Sequence, residues 1–171
     1  MSAATAWAAA VLLSGHAWAG PVRWQSDYEA ALRAAKQRDA LVMVWVAYDH
    51  CSLCEELDRK AFSSPRVDEM ATLFECVRDE GQTRKASGKG GEPETLAERF
   101  KVLIHPTILF LDPNGPVEIH RVQSSDQPAA KFQGIMADML ELHRAQGILA
   151  GDKNDADALF TVGHIEVGLE R

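Results

Sequence analysis

No stretch of this 171-residue chain approaches the roughly 18 consecutive apolar residues of a membrane-spanning helix, so none is expected in the mature protein. Positive charge is scarce as well. There are 18 Lys and Arg against 25 Asp and Glu, and the net charge of -7 at pH 7 argues against nucleic acid as a partner. Several site patterns are begun and left incomplete. Gly88-Lys89-Gly90-Gly91 lacks both the spacing and the Lys-Ser/Thr ending of a phosphate loop. Asp152-Lys153-Asn154-Asp155-Ala156-Asp157 lacks the Gly and the closing Glu that a calcium loop requires. The Cys-x-x-Cys pair is not followed by His, so covalent haem attachment is excluded.

What remains, 46% hydrophobic and 25% charged, suits one globular domain with a proper core and terminal extras. Residues 1–20 are Ala-rich, with an apolar centre from Ala6 to Leu13 that no Lys or Arg precedes, and with Ala17-Trp18-Ala19 before Gly20. The pattern predicts a signal peptide over 1–19 and an exported, periplasmic protein. Residues 20–150 form the expected domain, with an inserted polar, glycine-rich loop at 79–93, and 151–171 form a loosely attached C-terminal extension.

Within the domain, Ser26-Asp27-Tyr28-Glu29 predicts a capping box, Ser26 as N-cap, and a helix to Arg38 that buries Tyr28, Ala31, Leu32 and Ala35. Leu41–Ala47 is apolar on both faces, as a central, doubly covered strand would be. A helix after Cys51 turns Leu57 and Phe62 inward and breaks at Ser64-Pro65, where Pro65 opens a short helix to Ala71. A strand over Leu73–Arg78 and a short helix over Glu94–Phe100 follow. Pro106 then stands at the start of the apolar strand in Val102–Leu111, a position where its missing N–H is tolerated. Asp112-Pro113-Asn114-Gly115 is a turn that joins this strand to Val117–Val122 as a hairpin. A last helix, Ala129–Gln146, places Phe132, Ile135, Met136, Met139 and Leu140 on one face. Crossover helices imply parallel neighbours early in the chain, and the hairpin implies an antiparallel pair late.

The chemistry concentrates at Cys51-Ser52-Leu53-Cys54, where the strand ends and a helical pattern begins. Residues three apart on a helix share a face, so the two sulfurs are placed for a disulfide. The positive end of the helix lowers the pKa of the first thiol. Cys51 is therefore the expected nucleophile and Cys54 the resolving thiol. Cys76, in Phe74-Glu75-Cys76-Val77, is expected to face the core as a small hydrophobe, or otherwise to be an odd thiol able to link two chains.

A strand ending in Cys-x-x-Cys, followed by Ile104-His105-Pro106-Thr107 at a strand start and by Phe110-Leu111-Asp112-Pro113-Asn114-Gly115, resembles the thioredoxin-like superfamily over Val22–Gln146. More narrowly, it resembles exported thioredoxin-related proteins and the C-terminal domain of the transmembrane disulfide reductase. The resemblance implies an α/β thioredoxin fold, with a central mixed sheet of about four strands flanked by helices. It also implies thiol–disulfide exchange with protein disulfides or dithiols, with Pro106 as a cis proline beside the disulfide. His50, Ser52, Leu53, His105 and Thr107 would line or tune the substrate groove. No cofactor is implied beyond the Cys51–Cys54 disulfide, and a membrane-bound thiol reductase is the expected electron donor.

The chain also departs from the family. His50 stands where Trp usually precedes the first cysteine, and Trp45 where thioredoxins carry a buried Asp. Glu55 and Glu56 follow the second cysteine and oppose thiolate formation. A protonated His50 or His105 would favour the thiolate, although His50 has a plain alternative as a solvated turn residue and His105 as a partner for loop carbonyls. Two thiols and two imidazoles also make a rival function, a Zn or Cu(I) site formed by Cys51, Cys54, His50 and His105.

Overall fold

The computed structural model describes residues 22–48, 50–80, 95–115 and 117–169. The expected signal segment 1–19 and nearly all of the expected loop 79–93 lie outside the described residues.

The elements run α1 (Tyr28–Arg38), β1 (Val42–Val46), α2 (Ser52–Leu57), α3 (Pro65–Ala71), β2 (Glu75–Asp79), α4 (Leu96–Arg99), β3 (Thr107–Asp112), β4 (Val117–Val122), α5 (Ala129–Gly151) and α6 (Ala156–Leu169). A π-helical turn, Asp58–Phe62, continues α2. The sheet has the order β2-β1-β3-β4, with β1 parallel to β2 and antiparallel to β3, and with β3 antiparallel to β4. This is the expected four-stranded mixed sheet flanked by helices.

Strand β1 is central because each of its faces is apolar. Met43 and Trp45 point to a core shared with Phe62, Phe110, Phe132, Met136 and Met139. Val42, Val44 and Val46 point to a second core with Tyr28, Leu32 and Leu109. The period-two alternation of a strand thus feeds both layers. Each large side chain taken from water contributes about 1.5–3 kcal/mol, which fixes the register of the strand and of whatever follows it.

Several boundaries differ from those the sequence suggests. The N-cap of α1 is Asp27, whose Oδ1 accepts from the Ala30 N–H at 2.9 Å, so Ser26 is not the cap. Glu29 reaches Arg99 at 3.2 Å instead of turning back on its own helix. A capping box does occur at α4, where Thr95 and Glu98 satisfy each other's backbone N–H groups. Strand β2 begins at Glu75 rather than Leu73, because the Leu73 and Phe74 N–H groups still close turns onto Met70 and Ala71. Strand β3 begins only at Thr107, after Pro106.

The tail is not loosely attached. Ala158 and Ile165 of α6 are buried, Val162 and Leu169 pack beside the larger core, and these four positions form one helical stripe against α5. The acidic run that falls short of a calcium loop makes the bend. Asp152 Oδ1 accepts from the Asn154 N–H at 3.0 Å, and Asp155 Oδ1 caps α6 through the Ala158 N–H at 2.8 Å.

Phe62 is 1% exposed and packs edge-on to Trp24 and Phe132. Phe62→Ala should lower the unfolding free energy by about 3–5 kcal/mol in urea denaturation. Phe160→Ala, at a position 73% exposed, should lower it by less than about 0.5 kcal/mol. Similar losses for both would contradict this assignment of the core.

Candidate active site

The carboxyl end of β1 delivers the dithiol. After Val46 the chain leaves the sheet through Ala47 and Tyr48. His50 adopts a left-handed backbone (φ 60°), a conformation His tolerates better than most residues, and Cys51 occupies the N-cap of α2. The Cys51 N–H donates to the Tyr48 carbonyl at 3.3 Å. Cys51 Sγ accepts from the Cys54 N–H at 3.1 Å. The two cysteines form a disulfide, with Cα atoms 5.2 Å apart. Their burial is unequal. Cys54 is 4% exposed and belongs to the core, whereas Cys51 is half-buried at its edge.

A cleft of about 140 Å³ opens beside the pair. Trp45 and Arg78 contribute to it from the sheet, and Tyr48 and His50 from the turn. Glu55 and Asp58 join the two cysteines from α2 and the turn after it. The Arg78 guanidinium lies 4.4 Å from the centre of the Trp45 ring, a cation–π contact, and Arg78 Nε pairs with Glu80 at 3.2 Å. Trp45, where the sequence suggested an absent Asp, is 1% exposed and helps to wall the cleft.

Of the two carboxylates flagged after Cys54, Glu55 reaches the cleft. Glu56 turns to Lys60 at 2.8 Å, and that hydrogen bond holds its carboxyl below the usual carboxylate range. Asp58 and Arg78 were not anticipated. Asp58 lies one helical turn beyond Cys54 and was legible from that spacing. Arg78 was not legible, because it comes to Trp45 only through the parallel register of β1 and β2.

The His105–Pro106 peptide is cis, and Pro106 is buried. Antiparallel pairing sets Thr107 opposite Val46, so Pro106 enters the sheet at the end where β1 gives way to the dithiol turn. Thr107 is itself closed in, donating from Oγ1 to the Ile104 carbonyl at 2.5 Å. Tyr48, Leu53, Leu103 and Ile104 are exposed apolar residues of the segments at this end. Ser52 is exposed in the first turn of α2.

The two histidines separate. His50 lines the cleft, whereas the His105 ring packs against Tyr48 at 5.3 Å. Among the described residues, no group of three or more His, Cys, Asp or Glu side chains is placed to hold a metal. Cys51, Cys54, His50 and His105 are therefore not assembled as the four-ligand set that the rival function required.

The sequence profile of a family described as thioredoxin-like matches residues 23–113, more than half of the chain. No curated protein matches the chain by sequence. Among solved structures, a protein named DsbH oxidoreductase aligns at 19% identity and TM-score 0.58, covering 73% of this chain and 88% of its own. A thioredoxin from Thermus thermophilus aligns at 24% identity and TM-score 0.58, covering 80% and 97%. At these identities the likeness is one of fold.

Cys76 is 5% exposed, and its thiol is turned to the Ala71 carbonyl at 3.5 Å. Burial, with Glu75 adding to it, pushes this thiol up to about 12. Since the thiolate is the reactive form, iodoacetamide at neutral pH should label the reduced native protein at Cys51 and reach Cys76 only after unfolding. Peptide masses give the readout, and early label on Cys76 would contradict its burial.

Proposed function

Because the chain belongs to the thioredoxin-like family, we propose that it is a thiol–disulfide oxidoreductase that exchanges disulfides with protein substrates through Cys51 and Cys54. The observation that carries this reading is the unequal exposure of the pair at the start of one helix, with Cys51 half-buried at the edge of the core and Cys54 within it.

In the reducing direction, the Cys51 thiolate attacks one sulfur of a substrate disulfide. The substrate S–S bond breaks, one substrate sulfur leaves as thiolate, and a mixed disulfide joins the other to Cys51. Cys54 then attacks Cys51 Sγ, releasing the second substrate thiolate and closing the Cys51–Cys54 bond. Two electrons pass to the substrate, and both released sulfurs take protons from water. The steps reversed oxidise a dithiol. The N-cap position suits Cys51 to the first step, since the Cys54 N–H that donates to its sulfur favours the anionic form.

Substrate would lie along the rim formed by Tyr48, Leu53 and the Leu103-Ile104 segment before Pro106, in an extended form accepted by backbone contacts. The disulfide is the redox group, and the scheme uses no further cofactor. We propose export to the periplasm directed by residues 1–19, and recharging of the dithiol by a membrane-bound thiol reductase. No helix among the described residues is long and apolar enough to cross a membrane.

In an insulin-reduction assay, Cys51→Ala should bring turnover down to the uncatalysed background. Cys54→Ala should accumulate mixed disulfides that run as higher-mass species on non-reducing gels. Full turnover in both variants would overturn the proposal.

A further inference from the structure

The cleft beside the dithiol holds a cation that the exchange scheme does not use. Cys54 lies among apolar groups at 4% exposure, and burial of a thiol opposes its ionisation. Yet Cys54 must lose its proton to attack Cys51. The strand position from which a buried carboxylate would accept that proton is occupied by Trp45, which is 1% exposed. Arg78 lies over the Trp45 ring at 4.4 Å and lines the same cleft as both cysteines.

We propose that the Arg78 guanidinium stabilises the Cys54 thiolate and so sets the rate and pH range of the resolving step. This rests on the exchange reading above. Four other groups act on the same cleft or on Arg78. Glu55 and Asp58 on α2 and its continuation oppose the thiolate, His50 in the turn favours it when protonated, and Glu80 beyond β2 pairs with Arg78. Glu55, Asp58, His50 and Glu80 are all exposed, where water screens them. The guanidinium has one face against a ring that is 1% exposed. The Arg78 side chain is 40% exposed and shared with Glu80, and it is the place of the guanidinium in the cleft lined by both cysteines that brings its charge to bear on Cys54.

The resolving step balances with Arg78 as a spectator. The Cys54 proton passes to water in the cleft. The thiolate donates an electron pair to Cys51 Sγ, the bond from Cys51 to the substrate sulfur breaks, and the Cys51–Cys54 bond forms. The substrate thiolate leaves and is protonated by water.

A neutral pyridyl disulfide tests the proposal on the reduced full chain. The first thione released reports attack by Cys51, and the second reports resolution by Cys54. In Arg78→Met the second phase should slow about tenfold at neutral pH, with its pH profile displaced upward by about one pH unit, while Arg78→Lys stays close to the unsubstituted protein. If Arg78→Met loses its far-ultraviolet circular dichroism, Arg78→Gln is measured in its place with the same expectation. A profile that does not move without the cation would overturn the role of Arg78. So would a Lys variant as slow as the Met variant, which would mark a packing role over Trp45. Absence of any second phase in the unsubstituted chain would instead overturn the exchange reading itself.

Discussion

The five residues of β1 are buried throughout, with a core on each face of the strand. That double burial is the constraint on which the site depends. A slip of one residue would exchange the side chains feeding the two cores, so the register is strongly held. Whatever leaves the carboxyl end of β1 is therefore delivered to one place. Through Tyr48 and His50, what arrives there is Cys51, at the N-cap of α2 and bonded to Cys54. The same register sets Thr107 across from Val46 and brings cis Pro106 to that end of the sheet. The helix is secured in turn by Leu57 and Phe62, both within the larger core. Disulfide and proline thus share one end because one buried strand orders both.

Unequal burial of the two sulfurs then divides their work. The half-buried Cys51 meets a partner with its sulfur already accepting a backbone N–H. Cys54 stays in the core, bonded to Cys51. The surroundings are mixed in sign, with Glu55 and Asp58 on the helix side, Arg78 on the sheet side and His50 in the turn. Such an arrangement leaves the potential to the balance of nearby charges.

Much of this was legible in the sequence wherever a single physical rule operates locally. The unbroken apolar run Leu41–Ala47, the Asp112–Gly115 turn, the break at Ser64-Pro65 and the buried face of α1 all follow from composition, periodicity or turn chemistry, and the structure reproduces them. Two local rules competed at the start of α1, where Ser26 and Asp27 are both good caps. The carboxylate of Asp27 reaches the Ala30 N–H, and that contact displaced the predicted box. The stripe Ala158, Val162, Ile165 and Leu169 was present but read as a tail, because it buries itself only by packing on the larger core, a contact that the sequence does not display. Contacts made through the sheet were not legible at all. Arg78 reaches the dithiol cleft because parallel pairing puts it beside Trp45, and the His105 ring packs against Tyr48. Sequence spacing holds no information on either.

The central claim is that the Cys51–Cys54 bond is a working redox couple rather than a structural cross-link. It is tested most directly by equilibrating the protein in glutathione buffers of graded potential and counting alkylated thiols by mass. The account predicts a reversible two-electron transition with a midpoint between about -270 and about -120 mV, the span of working dithiols in this fold. A midpoint below about -300 mV, where structural disulfides lie, would contradict it.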